Sequence, residues 1–485
     1  MLLAASTAVV ANASDASPVP PDSGSSVRSP HQDAAPAGPS SAERPAFVPP
    51  TVPLDPRIKS DRITESDPPA LPAELHQPLA ASLRIATDPA QVPLPPALQE
   101  RARAALTKGL DYLRAKQAPN GGWMETASAA PSNDSARPAP VAVAVTALAL
   151  KALAQATATA PADDPAIERA AGFIASAQRP DGTFDDGGMS SYVHSCVVAG
   201  LASLQDARMT DRLQQALRTL IALQWDQGEG VSARQDWFGG VGYGHNGRPD
   251  LSNTQLMLDA LHDAGVSPDD PAVQRALAFV VRAQNLKSTN SATWAQAGPD
   301  DGGFVYTPAN GGESMASQAA GEGRYGELLP DQAKRSLRSY GSMTYAGFKS
   351  LLYCGLAPDD LRVRAAYDWI RRHFSFHENP GMGQEGLYYY YHAMARALVA
   401  AQQPTIIPLV PAADGTDAVK EGTPQNWRLV LVESLLERQR DDGSWLNTAD
   451  RWLEGNPELC TIYAALALEE VLKEAPAAEK PAPKR

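Results

Sequence analysis

Cysteine is scarce: Cys196, Cys354 and Cys460 are the only three in 485 residues. Far apart and odd in number, they cannot form a disulfide framework. Without a C-x-x-C pair they offer no paired-thiolate metal or redox site. No run of about 18 apolar residues occurs, so no segment is suited to span a membrane as a helix. Peripheral membrane contact is left open. Basic residues are also short, with 42 Lys and Arg against 55 Asp and Glu and a net charge of −13. Gripping a phosphate backbone needs a Lys/Arg-rich surface, so nucleic acid is not expected as a partner.

The first hundred residues lack every one of the 8 Trp and 14 Tyr and hold 2 of the 36 Gly, yet carry 19 of the 42 Pro. Such a segment cannot offset its ordering entropy by burial. Residues 14–96 are therefore expected to be a disordered Pro/Ala/Ser-rich linker, and 476–485 a disordered tail. Residues 1–13 end in Ala11-Asn12-Ala13 after an apolar stretch, which reads as a signal peptide without a basic start. Export to the periplasm or cell exterior is the expectation, with the cytoplasm as the alternative. Residues 97–475 remain as one domain.

Self-comparison organises that block. Gln117-Ala-Pro-Asn-Gly121-Gly-Trp123 has the form Q-x3-G-x-W, and Gln439-Arg-Asp-Asp-Gly443-Ser-Trp445 repeats it. Gln178 to Phe184 is a third copy. Copies starting at Gln224 and Gln284 are stretched by insertions, and a degenerate unit spans 361–386, with His373 near the Gln position. Each motif follows one stretch of helical periodicity and precedes another, at about 138–156, 190–206, 251–265, 339–356, 387–402 and 458–474. No convincing strand is present. Twelve helices in six pairs can bury one another by closing into a double ring.

The repeated motif resembles the QW motif of squalene–hopene and oxidosqualene cyclases and of protein prenyltransferase β-subunits. The resemblance implies an all-α (α/α)6 toroid over about 97–475. Ser339 to Gly347 and Gly386 to His392 resemble the bacterial prenyltransferase and squalene oxidase repeat proteins.

The chemistry of those families is less evident. Cyclases protonate an alkene or epoxide with D-x-D-D-T, whose middle Asp is the acid. The best register here is Asp250-Leu251-Ser252-Asn253-Thr254, with Ser252 at the acid position. The prenyltransferase zinc site would fall on Tyr340, Ser342 and His392, a poor ligand set. No metal site and no cofactor are expected. The pairs Asp185-Asp186, Asp300-Asp301 and Asp441-Asp442 sit in turns, where Asp bonds local backbone.

First turns of the second helices should open onto a central cavity. Asp250, Tyr391 and His392 are the catalytic candidates. Tyr192, His194, Tyr243, His245, Asn253, Tyr340, Ser342, Tyr345, Tyr388, Arg451, Glu454 and Tyr463 are the candidate lining. Tyr388 to Tyr391 span one turn and cannot all face inward, and Asp250 also suits a helix N-cap. An aromatic pocket with a few polar groups suits an apolar, isoprenoid-type small molecule. Two alternatives stand beside that reading. One is a non-catalytic exported binding module for protein, lipid or glycan. The other is a carbohydrate-active enzyme, should Tyr391, His392, Arg451 and Glu454 converge. Whether the protein is an enzyme, its oligomeric state and the role of the 286–335 insertion are not given by the sequence. A loop of that length is expected to be a lid, a binding loop or disordered.

Overall fold

The computed structural model describes residues 94–124, 137–156, 164–185, 187–244, 247–412 and 419–473. The signal peptide, nearly all of the linker, His245 and the C-terminal tail lie outside the described residues.

Twelve helices alternate between two rings. The outer ring holds α1 (Pro96–Lys116), α3 (Pro165–Ala177), α5 (Thr210–Ala222), α7 (Pro271–Arg282), α9 (Leu361–Arg372) and α11 (Trp427–Arg438). The inner ring holds α2 (Pro140–Ala156), α4 (Ser190–Leu204), α6 (Leu251–Asp263), α8 (Gly341–Tyr353), α10 (Leu387–Ala400) and α12 (Pro457–Leu472). Each inner helix packs on the next, and α12 returns to α2, so the toroid closes. Outer helices bury one face, whereas inner helices are buried almost throughout, as expected for elements covered on both sides.

Local chemistry sets the helix starts. Asp164 and Asp270 cap α3 and α7 with side-chain bonds to backbone N–H groups, each followed by Pro at the first helical position. The motif glutamines then tie one unit to the next. Gln117 Nε2 donates to Gly121 O (3.0 Å) in its own turn and to Ala166 O (2.9 Å) on α3. Gln224 reaches Ala272 O and Gln284 reaches Arg362 O, each at 2.9 Å. Gln439 closes the circle on α1, donating to Ala105 O at 2.9 Å. At that seam Gly443 has φ +86°, and a Cβ there would lie 2.5 Å from Lys108 O, so only glycine fits. Gln178 departs from the pattern and donates to the Gln215 side chain.

A second tie is a threonine on the inner helix. Thr146, Thr254, Thr344 and Thr461 each accept the backbone N–H of Trp123, Val241, Phe304 and Trp445, all at 3.1 Å. Thr254, the last residue of the stretch that resembles the cyclase acid motif, thus does the same structural work as its three counterparts.

Two insertions carry structure of their own. Residues 286–335 are folded onto the ring around a small core of Trp294, Ala295, Val305 and Leu337, with two five-residue helices. Glu313, fully buried, pairs with Arg248 and Arg324 to hold the insertion down. A short antiparallel hairpin, Leu409–Pro411 with Val419–Glu421, follows α10 in a second insertion, 403–423, where no strand was expected. Three residues per strand are too few to leave an alternating pattern in the sequence.

Candidate functional site

The centre of the ring has two ends. At the amino ends of the inner helices lies a cavity lined by Tyr192, Ser252, Leu256, Tyr340, Ser342, Tyr389, Trp452, Glu454 and Tyr463. Its volume open to water centres is about 20 Å³, room for one or two waters. Of the expected lining, Tyr192, Tyr340, Ser342, Glu454 and Tyr463 are there.

The loop between the last motif and α12 covers this cavity. Within it Trp452 and Leu453 hold φ of 60° and 65°, a left-handed conformation that is costly for bulky residues. The indole rests on Gly386, itself at φ +67°, where a Cβ would lie 2.9 Å from the ring. Arg451 stacks on Trp452 and pairs with Glu385 at 2.6 Å, pinning the loop at the rim. Glu454 points inward and receives Tyr388 N (3.2 Å), Tyr389 N (2.8 Å) and Asn447 Nδ2 (2.7 Å). Burial nonetheless raises its carboxyl above the usual range.

Asp250 is buried at the start of α6 and is not among the lining residues. Its Oδ1 accepts from Asn253 N and its Oδ2 from Asn253 Nδ2, both at 2.8 Å. It is a helix cap held by its own helix. Burial pushes its carboxyl up to about 6, against the pull of the Asn253 bonds and Arg248. Tyr243 is buried too, and its hydroxyl is raised by burial and by the nearby Asp250 charge. His194 lies edge-on to Phe184, between the rings, with Nδ1 2.7 Å from Ser190 O.

Tyr391 turns away from the centre: its hydroxyl donates to Phe376 O at 2.5 Å and its ring meets Arg438 of α11. Tyr388 reaches Leu446 O (3.5 Å), and Tyr345 packs edge-on against Tyr390. The inward residues of α10 are Tyr389 and, one turn on, His392, whose ring stacks near Tyr463 at 5.8 Å. Burial, with Arg396, Lys349 and Lys151 nearby, holds His392 well below the usual histidine range and therefore neutral. Tyr391, His392, Arg451 and Glu454 do not converge on one groove.

Below the tyrosines lies a charged layer that sequence reasoning missed. Lys349 Nζ donates to Gln255 Oε1 (2.9 Å) and Asp259 Oδ2 (2.6 Å). Arg396 grips Asp263 through two nitrogens at 2.9 and 3.2 Å, and Lys151 adds a third contact at 2.5 Å. The available signal was helical spacing. Ser252, Asp259 and Asp263 on α6, Ser342 and Lys349 on α8, and Tyr389 and Arg396 on α10 are seven, four, seven and seven apart, one face each. Beyond the charges the ring opens into a bowl of about 570 Å³, lined by Lys151, Gln155, Ser203, Gln205 and Asp263 among others.

Of the acidic pairs, Asp185, Asp301 and Asp442 each accept from nearby backbone N–H groups, and Asp186 lies outside the described residues. Asp185 accepts from Met189 N and Ser190 Oγ, and Asp301 from Gly303 N and Trp369 Nε1. Among the described residues, no three His, Cys, Asp or Glu side chains are placed to hold a metal ion. No described helix is long and apolar enough to cross a membrane.

Residues 132–307 match the squalene-hopene cyclase C-terminal domain family. Over that stretch, a little over a third of its length, the chain is terpene cyclase-like. Among solved structures it is similar to a variant of the type II terpene cyclase MstE from Scytonema in complex with geranylgeranyl dihydroxybenzoate. That likeness has 13% identity, covers 78% of this chain and 98% of the other, and has a TM-score of 0.42. A D-mannose isomerase is similar at 11% identity, with 77% and 99% covered and a TM-score of 0.45. A protein from Actinoplanes shows 13% identity, 77% and 100% coverage and a TM-score of 0.32. Likenesses this loose say nothing about activity. No curated protein matches the chain.

Proposed function

We propose that the protein binds an apolar, isoprenoid-type ligand in the tyrosine-lined centre of the ring, beneath Trp452, and does so without cyclase chemistry. The observation that carries this reading is the wall of the cavity. Four tyrosines, Leu256 and Trp452 face it, and Ser252 stands where the resemblance places the proton donor. A serine hydroxyl is far too weak an acid to protonate an alkene. The free space holds only one or two waters, so binding requires Trp452 to swing out. The left-handed backbone at Trp452 and Leu453 makes this the segment whose release relieves strain.

Protonation by Asp250 is the second reading, favoured by a carboxyl lifted to about 6. Both of its oxygens are aimed at Asn253, which favours binding over catalysis.

The test is a titration of polyprenyl compounds followed by tryptophan fluorescence and thermal shift, with product analysis by mass spectrometry. Saturable binding without products is expected, with faster association in Trp452→Ala. Absence of binding to both proteins would overturn the reading, and a cyclised product lost in Asp250→Asn would replace it with the second.

A further inference from the structure

We infer that the ligand of the tyrosine-lined cavity carries an acceptor oxygen, and that the Tyr389 hydroxyl is the donor that reads it. The inference rests on the binding reading above and names the class of isoprenoid: oxygenated rather than pure hydrocarbon.

The argument follows hydrogen-bond polarity along one chain. Lys349 is fully buried, and its ammonium has donors only. The Gln255 atom facing it at 2.9 Å must therefore be the amide oxygen. That fixes the amide, an assignment usually open to a flip. The Nε2 end then faces Tyr389 and donates to its hydroxyl oxygen at 2.9 Å. With that oxygen accepting, the Tyr389 proton is free to be given elsewhere, and Tyr389 lines the cavity. The tyrosine is also held in place, its N–H on Glu454 and its ring edge-on to Tyr463 at 5.9 Å.

One more group on the same wall has the same polarity. Ser342 Oγ accepts from Asn379 Nδ2 at 3.3 Å, which leaves its proton to give. The one carboxylate on the wall, Glu454, is already engaged at both oxygens. Tyr389 and Ser342 thus present protons that none of the wall's hydrogen bonds takes up. A hydrocarbon would bury those donors unsatisfied, whereas a ligand with an ether, carbonyl or hydroxyl oxygen would answer them.

Three probes of equal chain length separate the outcomes: a polyprenyl hydrocarbon, its methyl ether and its alcohol. The ether accepts but cannot donate. Ether and alcohol are expected to bind the full-length protein roughly ten-fold tighter than the hydrocarbon. In Tyr389→Phe that preference should shrink several-fold. Gln255→Leu, which keeps the hydroxyl but frees its orientation, should lose part of it. Equal binding of all three probes by the natural protein, or an undiminished preference in Tyr389→Phe, would overturn the inference while leaving the binding reading intact. No binding of any probe would overturn the binding reading itself.

Discussion

The two ends of the ring are built from the same six inner helices and could hardly differ more. The amino end is narrow, aromatic and donor-rich, with about 20 Å³ of free space. At the carboxyl end an open bowl of about 570 Å³ lies against α2 and α4, with the Lys151–Asp263 pair in its wall. Helix polarity explains part of this. Carboxyl ends of helices carry partial negative charge, which favours the cations Lys151, Lys349 and Arg396 in the second halves of α2, α8 and α10; they face the buried Asp259, Asp263, Glu469 and Glu470. The repeat fixes backbone geometry at both ends, so function is set by the few inward residues in each turn.

The largest expected effect comes from the charged layer. Arg396→Met removes the bidentate partner of Asp263 and leaves buried carboxylates under-compensated. Breaking such a pair costs about 3 to 5 kcal/mol, measurable by urea denaturation. A loss below about 1 kcal/mol would mean that this end is solvated and not the counterpart of the tyrosine-lined end drawn here.

The two ends should also respond to pH in opposite directions. Asp250 has its carboxyl raised from 3.8 to about 6 by burial. Between those values the folded state holds the proton more tightly than the unfolded chain. Stability from this group is therefore complete below about pH 4 and lost as pH rises through 6. The shift corresponds to about 3 kcal/mol. Asp250→Asn, which keeps a capping oxygen, should flatten that slope in thermal melts between pH 4 and 7. Lys349 runs the other way: burial lowers its ammonium to about 8, so stability should rise as pH climbs from 8 towards 10.5. Lys349→Met should remove that rise. An unchanged slope in either variant would assign the pH response to other groups.

What was legible follows from where each signal is written. The ring was readable because its ties are short-range patterns: Gln117 with Gly121, Gln439 with Gly443, and Trp at both turns. The threonine tie was not, since Thr146 or Thr461 is one residue within a helix and its partner lies 23 or 16 residues away. Tyr192, Tyr340 and Ser342 could be placed at the cavity by their position in a first turn, and Tyr463 by its place one turn further along α12. Tyr389 could not be singled out in a run of four tyrosines, where one residue is a rotation of about 100°. Asp250 shows the limit of motif reading: it matches the first residue of an acid motif, yet its bonds to Asn253 are those of a cap. The docking of 286–335 depends on Glu313 meeting Arg248 across the chain, which no local pattern encodes.

The smallest effect is the most discriminating for the open end. Lys151 and Arg396 share Asp263, but their positions differ: the lysine lines the bowl, whereas the arginine lies behind it and also meets Tyr353 Oη at 3.2 Å. In Lys151→Met, Asp263 keeps both guanidinium bonds and gains access to bowl water. The expected loss is about 1 kcal/mol, set against several for Arg396→Met. The double variant should exceed the sum of the singles, because only then is Asp263 left without a cation. Equal losses from the two single variants would show that the bowl is sealed from water at this wall. The contrast between the ends would then be one of charge alone and not of openness.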